Sequence, residues 1–309
     1  MDSSFSPDAR IPVLVGPTGV GKSDAAMDLA RRLQAEILSA DAYQVYRGIP
    51  VGTAQPPPEH QKEIPHHLVA CQDFTAPWSA ALFAQRAAEI IRERLAQNRK
   101  LILVGGSGFY LKALVEGAPE GEAASPDLRA WVAAEMDRRG PEGSHQWLLE
   151  RAPGAAARLH PNDRYRVSRA LEKSYGEEAP RAKPLLDPRL FRFYGLEMAR
   201  TDLDLRLKAR IDKMWASGLL EEAKFLEQSG VRPDHPVWGA IGYQEAAAFL
   251  GGQWTQAQAL ERMFRRTRQY AKRQWTWFKH QHEVQWMDLG VPEGRERVVE
   301  FILGDGFKS

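Results

Sequence analysis

The sequence predicts an α/β chain, a parallel sheet flanked by helices, with a small all-helical insertion domain. Three observations predict it. Apolar runs of strand length alternate with helical patterns in both outer parts of the chain, the first run leads into the glycine-rich stretch GPTGVGKS, and the pattern between two Pro/Gly/Ala-rich stretches is wholly helical. The chain has 309 residues, a net charge of +2 and one cysteine. That length permits one large or two modest domains. So small a net charge requires any nucleic-acid surface to be local. A single cysteine, Cys71, excludes an internal disulfide and a multi-cysteine zinc site, as expected in a reducing cytoplasm. No apolar run approaches the ~20 residues of a membrane span, and MDSSFSPDAR lacks the pattern of a signal peptide, so a cytoplasmic location without a membrane partner is expected.

Residues 11 to 15, IPVLV, suit a buried strand, and Asp24 to Leu33 place Ala26, Leu29, Ala30 and Leu33 on one helical face. The stretch between them fits G-x-x-x-x-G-K-[ST], so the sheet is P-loop NTPase-like. In such a loop the backbone N–H groups of Gly16, Pro17's neighbours Thr18 and Gly19, Val20 and Gly21 turn toward an anion. Lys22 adds a point charge, the helix N-terminus favours negative charge, and Ser23 can ligate Mg²⁺.

Further strands are expected near 36 to 40, 100 to 104 and 190 to 196. EILSAD ends in Asp41. LILVGGSGFY ends in glycines and Ser107, where a kinase or hydrolase of this fold normally carries a metal-holding carboxylate. Neighbouring parallel strands would bring Asp41 and Ser107 beside the loop, at the carboxyl ends where open α/β sheets bind ligands. Asp in such a place also serves as a turn residue, and Ser as a helix cap. Tyr43, Gln44 and Tyr46 follow at once and suit a flat ring, by stacking and hydrogen bonding.

The stretches at 116 to 127 and 176 to 188 bound the insertion, taken as 119 to 185, with helices expected over 128 to 139, 144 to 151 and 165 to 175. Residues 1 to 118 and 186 to 309 then form the P-loop core. One long helix is expected from about Asp202 to Gln228, stopping at Gly230. From Arg262 to His282 there are seven Lys/Arg and no acidic residue, interleaved with Phe264, Tyr270, Trp275, Trp277 and Phe278. Such a segment is either a solvated basic helix over a buried aromatic stripe or a surface that binds phosphates and stacks bases. The insertion echoes it in NDRYRVSRALEK, with Arg164, Arg166 and Arg169, and the two together suggest an RNA gripped from two sides. His66 and His67 are not expected to hold a metal, because no further ligands accompany them.

With these stretches in hand, the chain resembles the bacterial tRNA dimethylallyltransferases, the delta-2-isopentenylpyrophosphate:tRNA transferase family. The likeness runs through GPTGVGKS, SADAYQVYRGIPVGTAQP, IPHHLV, LVGGSGFYLKAL, HPNDRYRVSRALE, RTDLDLRLKARIDKMWASGLLEEAKFL, AIGYQEA and TRQYAKRQWTWFK, in that order. It implies transfer of a dimethylallyl group from dimethylallyl diphosphate to N6 of the adenosine 3′ of the anticodon in tRNA. It implies Asp41 and Ser107 (Thr in most of the family) as catalytic residues, with Asp41 taking the N6 proton. Gly16 to Ser23 with Arg206 and Arg210 would bind the diphosphate, Ser23 with Mg²⁺ as cofactor. Asp41, Ala42, Tyr43, Gln44, Tyr165, Arg166, Arg169, Lys272, Arg273 and Gln274 would contact the tRNA, and a monomer is expected. The sequence departs from the family at Ala42, usually Ser, at Gln55, usually Lys, and at Cys71, often acidic. Competing readings are an adenylate isopentenyltransferase, a small-molecule P-loop kinase that binds ATP, and a non-enzymatic RNA-binding module. The first has no need of the basic elements, and the last none of Asp41.

Overall fold

Short apolar runs can be covered on both faces only inside a parallel sheet, and that is where they lie. In the computed structural model the strands Ile11–Val15 (β1), Glu36–Ser39 (β2), His66–His67 (β3), Leu101–Val104 (β4), Phe191–Glu197 (β5) and Val284–Asp288 (β6) pair in parallel, in the order β3-β2-β4-β1-β5-β6. The structure describes residues 10–76, 78–118, 125–175, 183–231, 235–281 and 283–307; most of MDSSFSPDAR, the middle of the first Pro/Gly/Ala-rich stretch, the first half of the second and His282 lie outside them. Its helices are Lys22–Leu33 (α1), Pro50–Thr53 (α2), Pro58–Glu63 (α3), Ala80–Ala96 (α4), Gly108–Glu116 (α5), Pro126–Arg151 (α6), Pro153–Ala156 (α7), Arg164–Tyr175 (α8), Arg200–Ala216 (α9), Leu219–Gln228 (α10), Tyr243–Leu250 (α11), Gln256–Gln281 (α12) and Gly294–Gly304 (α13).

The chain divides into two compact units, Met1–Gly117 with Pro184–Ser309, and Ala118–Lys183. The first holds the sheet. One core packs α1 and α13 on it through Leu14, Ala26, Leu29, Leu33, Val298 and Ile302. A second core gathers Val45, Ile49, Ile211, Leu219, Leu226, Tyr243 and Met263, so that α9 to α12 enclose the segment following β2. The described part of the second unit is helical, with its own core of Val132, Met136, Trp147, Leu148, Val167 and Leu171. None of the described helices is long and apolar enough to cross a membrane.

Three expectations need correction. The long helix expected over 202 to 228 is two helices, α9 and α10. Gly218 between them has φ +115°, a conformation an L side chain rarely adopts, and the break lets α10 set out in a new direction. The helices expected over 128 to 139 and 144 to 151 are one element, α6, kinked where Gly140 leaves helical geometry ahead of Pro141. Strands β3 and β6 were not expected: β3 has two residues and β6 directly follows α12, so neither leaves room for a visible period of two.

Candidate active site

β1 ends inside the sheet and must turn away sharply. Gly16, Gly19 and Gly21 all take positive φ, and a Cβ on Gly16 would stand 2.3 Å from the Leu196 carbonyl oxygen of β5. Only glycine lets the loop lie so close to its neighbour strand. Lys22 folds back over the loop, its Nζ donating to the Gly16 and Pro17 carbonyls, both at 2.9 Å. Burial away from water, helped by the Arg210 charge, lowers its pKa to about 7, against the opposing pull of Asp41. Burial likewise lowers the Arg210 guanidinium, again opposed by Asp41.

Arg206 stands one turn earlier on the same face of α9, its guanidinium 3.3 Å from where a Gly21 Cβ would be. Both arginines therefore meet the loop. Arg210 reaches the Lys22–Asp41 side, and Arg206 lines a cleft of about 300 Å³ with Gly21, Asp24, Leu289 and Arg295. That cleft does not include Asp41, which acts on Lys22 at the other side of the loop.

Asp41 and Ser107 leave the ends of two paired strands, β2 and β4, and are held against each other. The Ala42 amide donates to Ser107 Oγ at 3.1 Å, and the Ser107 amide donates to the Ala40 carbonyl at 3.3 Å. Asp41 Oδ1 accepts from the amides of Tyr43 (2.9 Å) and Gln44 (3.3 Å), so it is also a turn residue. Ser107 occupies the N-cap position of α5 without capping it, and its hydroxyl accepts from the Ala42 amide instead.

Two residues expected to touch tRNA have other partners. Gln44 accepts from Ser39 Oγ at 2.7 Å and donates to the Ala54 carbonyl at 2.8 Å, so both ends of its amide secure the segment it belongs to. Gln274 is buried in α12: its Oε1 accepts from the Thr18 amide at 2.8 Å and its Nε2 donates to the Gly106 carbonyl at 3.0 Å, clasping the P-loop to the GGSG turn. A Cβ on Gly106 would lie 2.0 Å from that nitrogen.

The aromatic residues of α12 pack in part against the body of the first unit. A helix of this amphipathic pattern turns its large rings inward: Phe278 is buried, Trp275 donates to Glu197 Oε2 at 2.9 Å, and Trp277 covers Gly108. Some cations are also taken up internally, Arg266 by the fully buried Glu245 at 2.6 Å and Arg268 by Asp204 at 2.9 Å. Lys272 and Arg273 remain exposed.

Tyr43 lies with its hydroxyl against Gly239, and Ala42 beside Ser107. In the second unit Tyr165 and Arg166 are exposed on α8, while Arg169 lies over the Tyr165 ring and pairs with Glu172. Gln55, where the family has Lys, donates to the Gln44 and Tyr46 carbonyls at 2.9 and 2.6 Å. The two histidines face protein groups, His66 the Ile64 carbonyl and His67 the Glu36 carboxylate.

Sequence reasoning missed Glu222, buried in α10. It accepts from the amides of Val51 (2.6 Å) and Gly52 (2.8 Å) and from the Tyr243 hydroxyl (2.8 Å), and burial pushes its carboxyl pKa up. It thereby anchors the far end of the segment that starts at Asp41. A signal existed, since Glu222 lies on the same helical stripe as Leu219, Ala223 and Leu226.

For a metal, Ser23 offers an exposed hydroxyl at the first turn of α1, and no group of three or more His, Cys, Asp or Glu side chains that could hold one converges among the described residues. One protein oxygen completed by phosphate oxygens and water suits Mg²⁺.

A family profile described as IPP transferase matches residues 44–281. A tRNA dimethylallyltransferase of Symbiobacterium thermophilum is 40% identical over 302 residues, covering 94% of this chain and 93% of that one. One of Geobacter sulfurreducens is 36% identical over 294 residues, covering 93% and 94%. Among solved structures, the full-length tRNA isopentenylpyrophosphate transferase of Bacillus halodurans superposes with a TM-score of 0.71 at 36% identity, over 96% of this chain and 97% of that one. A eukaryotic dimethylallyltransferase acting on tRNA superposes with 0.73 at 28% identity, over 91% and 74%. With a family profile over residues 44–281 and relatives matched over more than nine-tenths of both chains, this chain belongs to the IPP transferase family.

Proposed function

We propose that the chain transfers a dimethylallyl group from dimethylallyl diphosphate to N6 of the adenosine 3′ of the anticodon in tRNA. The observation that carries this reading is the placement of a carboxylate, Asp41, and a hydroxyl, Ser107, on adjoining strand ends beside the cationic P-loop. A proton acceptor and a set of groups for a leaving anion share one space.

Loop amides, Lys22 and the arginines Arg206 and Arg210 bind the diphosphate, and Ser107 donates to it near the bond that breaks. Mg²⁺ at Ser23 neutralises part of the diphosphate charge when bound. The C1–O bond breaks with its electron pair going to diphosphate, and the N6 lone pair forms the new C–N bond. The N6 proton goes to Asp41. N6 of adenine is a weak nucleophile because its lone pair is delocalised, so the reaction needs both the departing anion stabilised and the proton removed. The adenosine must leave the anticodon stack to reach Asp41. Lys272 and Arg273 on one unit, and Tyr165 and Arg166 on the other, supply exposed groups for the tRNA, mainly its phosphates. A phosphoryl-transfer reading is less well served, because β4 leads into Gly105, Gly106 and Ser107 where a metal-holding carboxylate would stand.

Unmodified tRNA, labelled dimethylallyl diphosphate and Mg²⁺ are incubated with the protein, ATP replacing the donor in a parallel tube. Label in the tRNA with release of diphosphate and no turnover of ATP is the expected result. Transfer to free AMP but not to tRNA, or ATP consumption alone, would refute the reading.

A further inference from the structure

We propose that Gln274 is a positioning residue for the transfer step: its carboxamide fixes the phosphate loop to the turn that presents Ser107, so that the hydroxyl faces the departing diphosphate at bonding distance. The inference rests on the function proposed above, and it gives Gln274 an internal task in place of a tRNA contact.

A carboxamide donates at one end and accepts at the other. Both partners of Gln274 are main-chain groups from different strand ends: the Thr18 amide, after β1, donates to Oε1 at 2.8 Å, and the Gly106 carbonyl, after β4, accepts from Nε2 at 3.0 Å. Neither partner can exchange roles, so only one orientation of the side chain serves both. The Thr18 amide is thereby withdrawn from any anion, and the later amides of the loop are left to hold the diphosphate.

The second of these bonds falls beside Ser107. The Gly106 carbonyl also accepts from the Gly108 amide at 3.2 Å, and Ser107 between them has φ −88° and ψ 79°, the geometry of an inverse γ-turn. α12 grips that turn on both flanks, Gln274 at Gly106 and Trp277 at Gly108, where a Cβ would come within 2.2 Å of the ring. Trp275, next in the chain, is tied to Glu197 at the end of β5. The helix that carries Gln274 is therefore fixed across the ends of β4, β1 and β5 together.

Gly106 belongs to the same arrangement. Its φ lies outside the left-handed region, so alanine is conformationally allowed there, yet a Cβ would stand 2.0 Å from Gln274 Nε2, and the three atoms nearest to it all belong to Gln274. The missing side chain makes room for the carboxamide.

Gln274→Ala, Gly106→Ala, Ser107→Ala and their pairwise combinations are compared in single-turnover transfer at saturating tRNA and donor, with the affinities for tRNA and for inorganic diphosphate measured separately. Gln274→Ala is expected to slow transfer by about 10- to 100-fold, the scale of a misplacement near 1 Å, with both affinities within about twofold of the wild type. Adding Ser107→Ala to it costs less than Ser107→Ala costs alone, because the hydroxyl is already out of place. Gly106→Ala displaces the carboxamide while leaving Gln274 in the chain, and gives a similar slow rate. Combined with Gln274→Ala it slows transfer no further, since the added methyl enters the space the carboxamide leaves. Should Gln274→Ala not fold, Gly106→Ala with and without Ser107→Ala still decides. A wild-type rate in either variant, losses that multiply with Ser107→Ala, or weaker tRNA binding with transfer at saturation intact each overturns the role, the last returning Gln274 to the tRNA surface. If the wild-type protein moves no dimethylallyl group to tRNA, it is the proposed function that fails; if it does so and Gln274→Ala keeps pace with it, only this inference fails.

Discussion

The loops after β1 and β2 leave the same edge of the sheet, with β4 between them, yet they are built in opposite ways. The β1 loop works through its backbone: glycines at positive φ, amides available to an anion, and a lysine that donates to its own loop's carbonyls. The segment from Asp41 to Gln55 works through side chains. Asp41 holds its start, Gln44 and Gln55 its middle, and Glu222 and Tyr243, from α10 and α11, its far end. A site made of backbone needs neighbours in sequence. A site made of oriented side chains recruits them from anywhere in the chain.

Replacing Asp41 by Asn tests this contrast most severely. Asn keeps an oxygen for the Tyr43 and Gln44 amides, so the segment retains its shape while losing the group that takes the proton. Single-turnover transfer should fall by about 10² to 10⁴ with donor affinity near normal. A donor affinity that collapses first, and recovers with added Mg²⁺, would assign Asp41 to the metal instead.

Removing the remote anchor has a middling effect. Glu222→Ala leaves the amides of Val51 and Gly52 and the Tyr243 hydroxyl without their acceptor in a buried place, and should cost about 1–3 kcal/mol in a denaturant melt, with slower transfer. Lys22→Met, its counterpart in the β1 loop, should leave stability unchanged or improved and weaken binding of the donor. Equal melting midpoints for the Glu222→Ala variant and the wild type would erase the distinction between the two loops.

The smallest effect is one proton. Lys22 has a folded-state pKa of about 7 against 10.5 for an ordinary lysine, so the native state binds fewer protons between those values. Its drag on stability is therefore greatest below about pH 7 and fades as pH rises toward 10.5. A bound anion pulls the pKa back up. Inorganic diphosphate binding at pH 8, followed by calorimetry in two buffers of different ionisation enthalpy, should show up to one more proton taken up by the wild type than by Lys22→Met. No difference would show that the amine is charged before the anion arrives.

What was legible in the sequence follows the same division. The P-loop, the strand ends at Asp41 and Ser107, and the parallel order that joins them could be read because each is local or follows from handed, parallel connections. The resemblance implies Gln274 as a tRNA contact beside Lys272 and Arg273. Only the rotation of α12 shows that it points the other way. The Gly218 break was hidden by an apolar period that continues across it. Glu222 was overlooked because a glutamate in a helix is usually solvated, and nothing near it in sequence discloses the amides of Val51 and Gly52 that it meets.

The clasp made by Gln274 joins residues 18, 106 and 274, which leave the ribosome far apart in time. A nascent chain that has emerged as far as the Asp41 segment already owns a complete phosphate-loop motif, surrounded by cellular nucleotides and diphosphates. The loop and the GGSG turn are not yet tied to one another, and they cannot be until the last third of the chain has been made and its long helix has docked. Synthesis from the N-terminus therefore assembles this pocket last, although its signature is translated first.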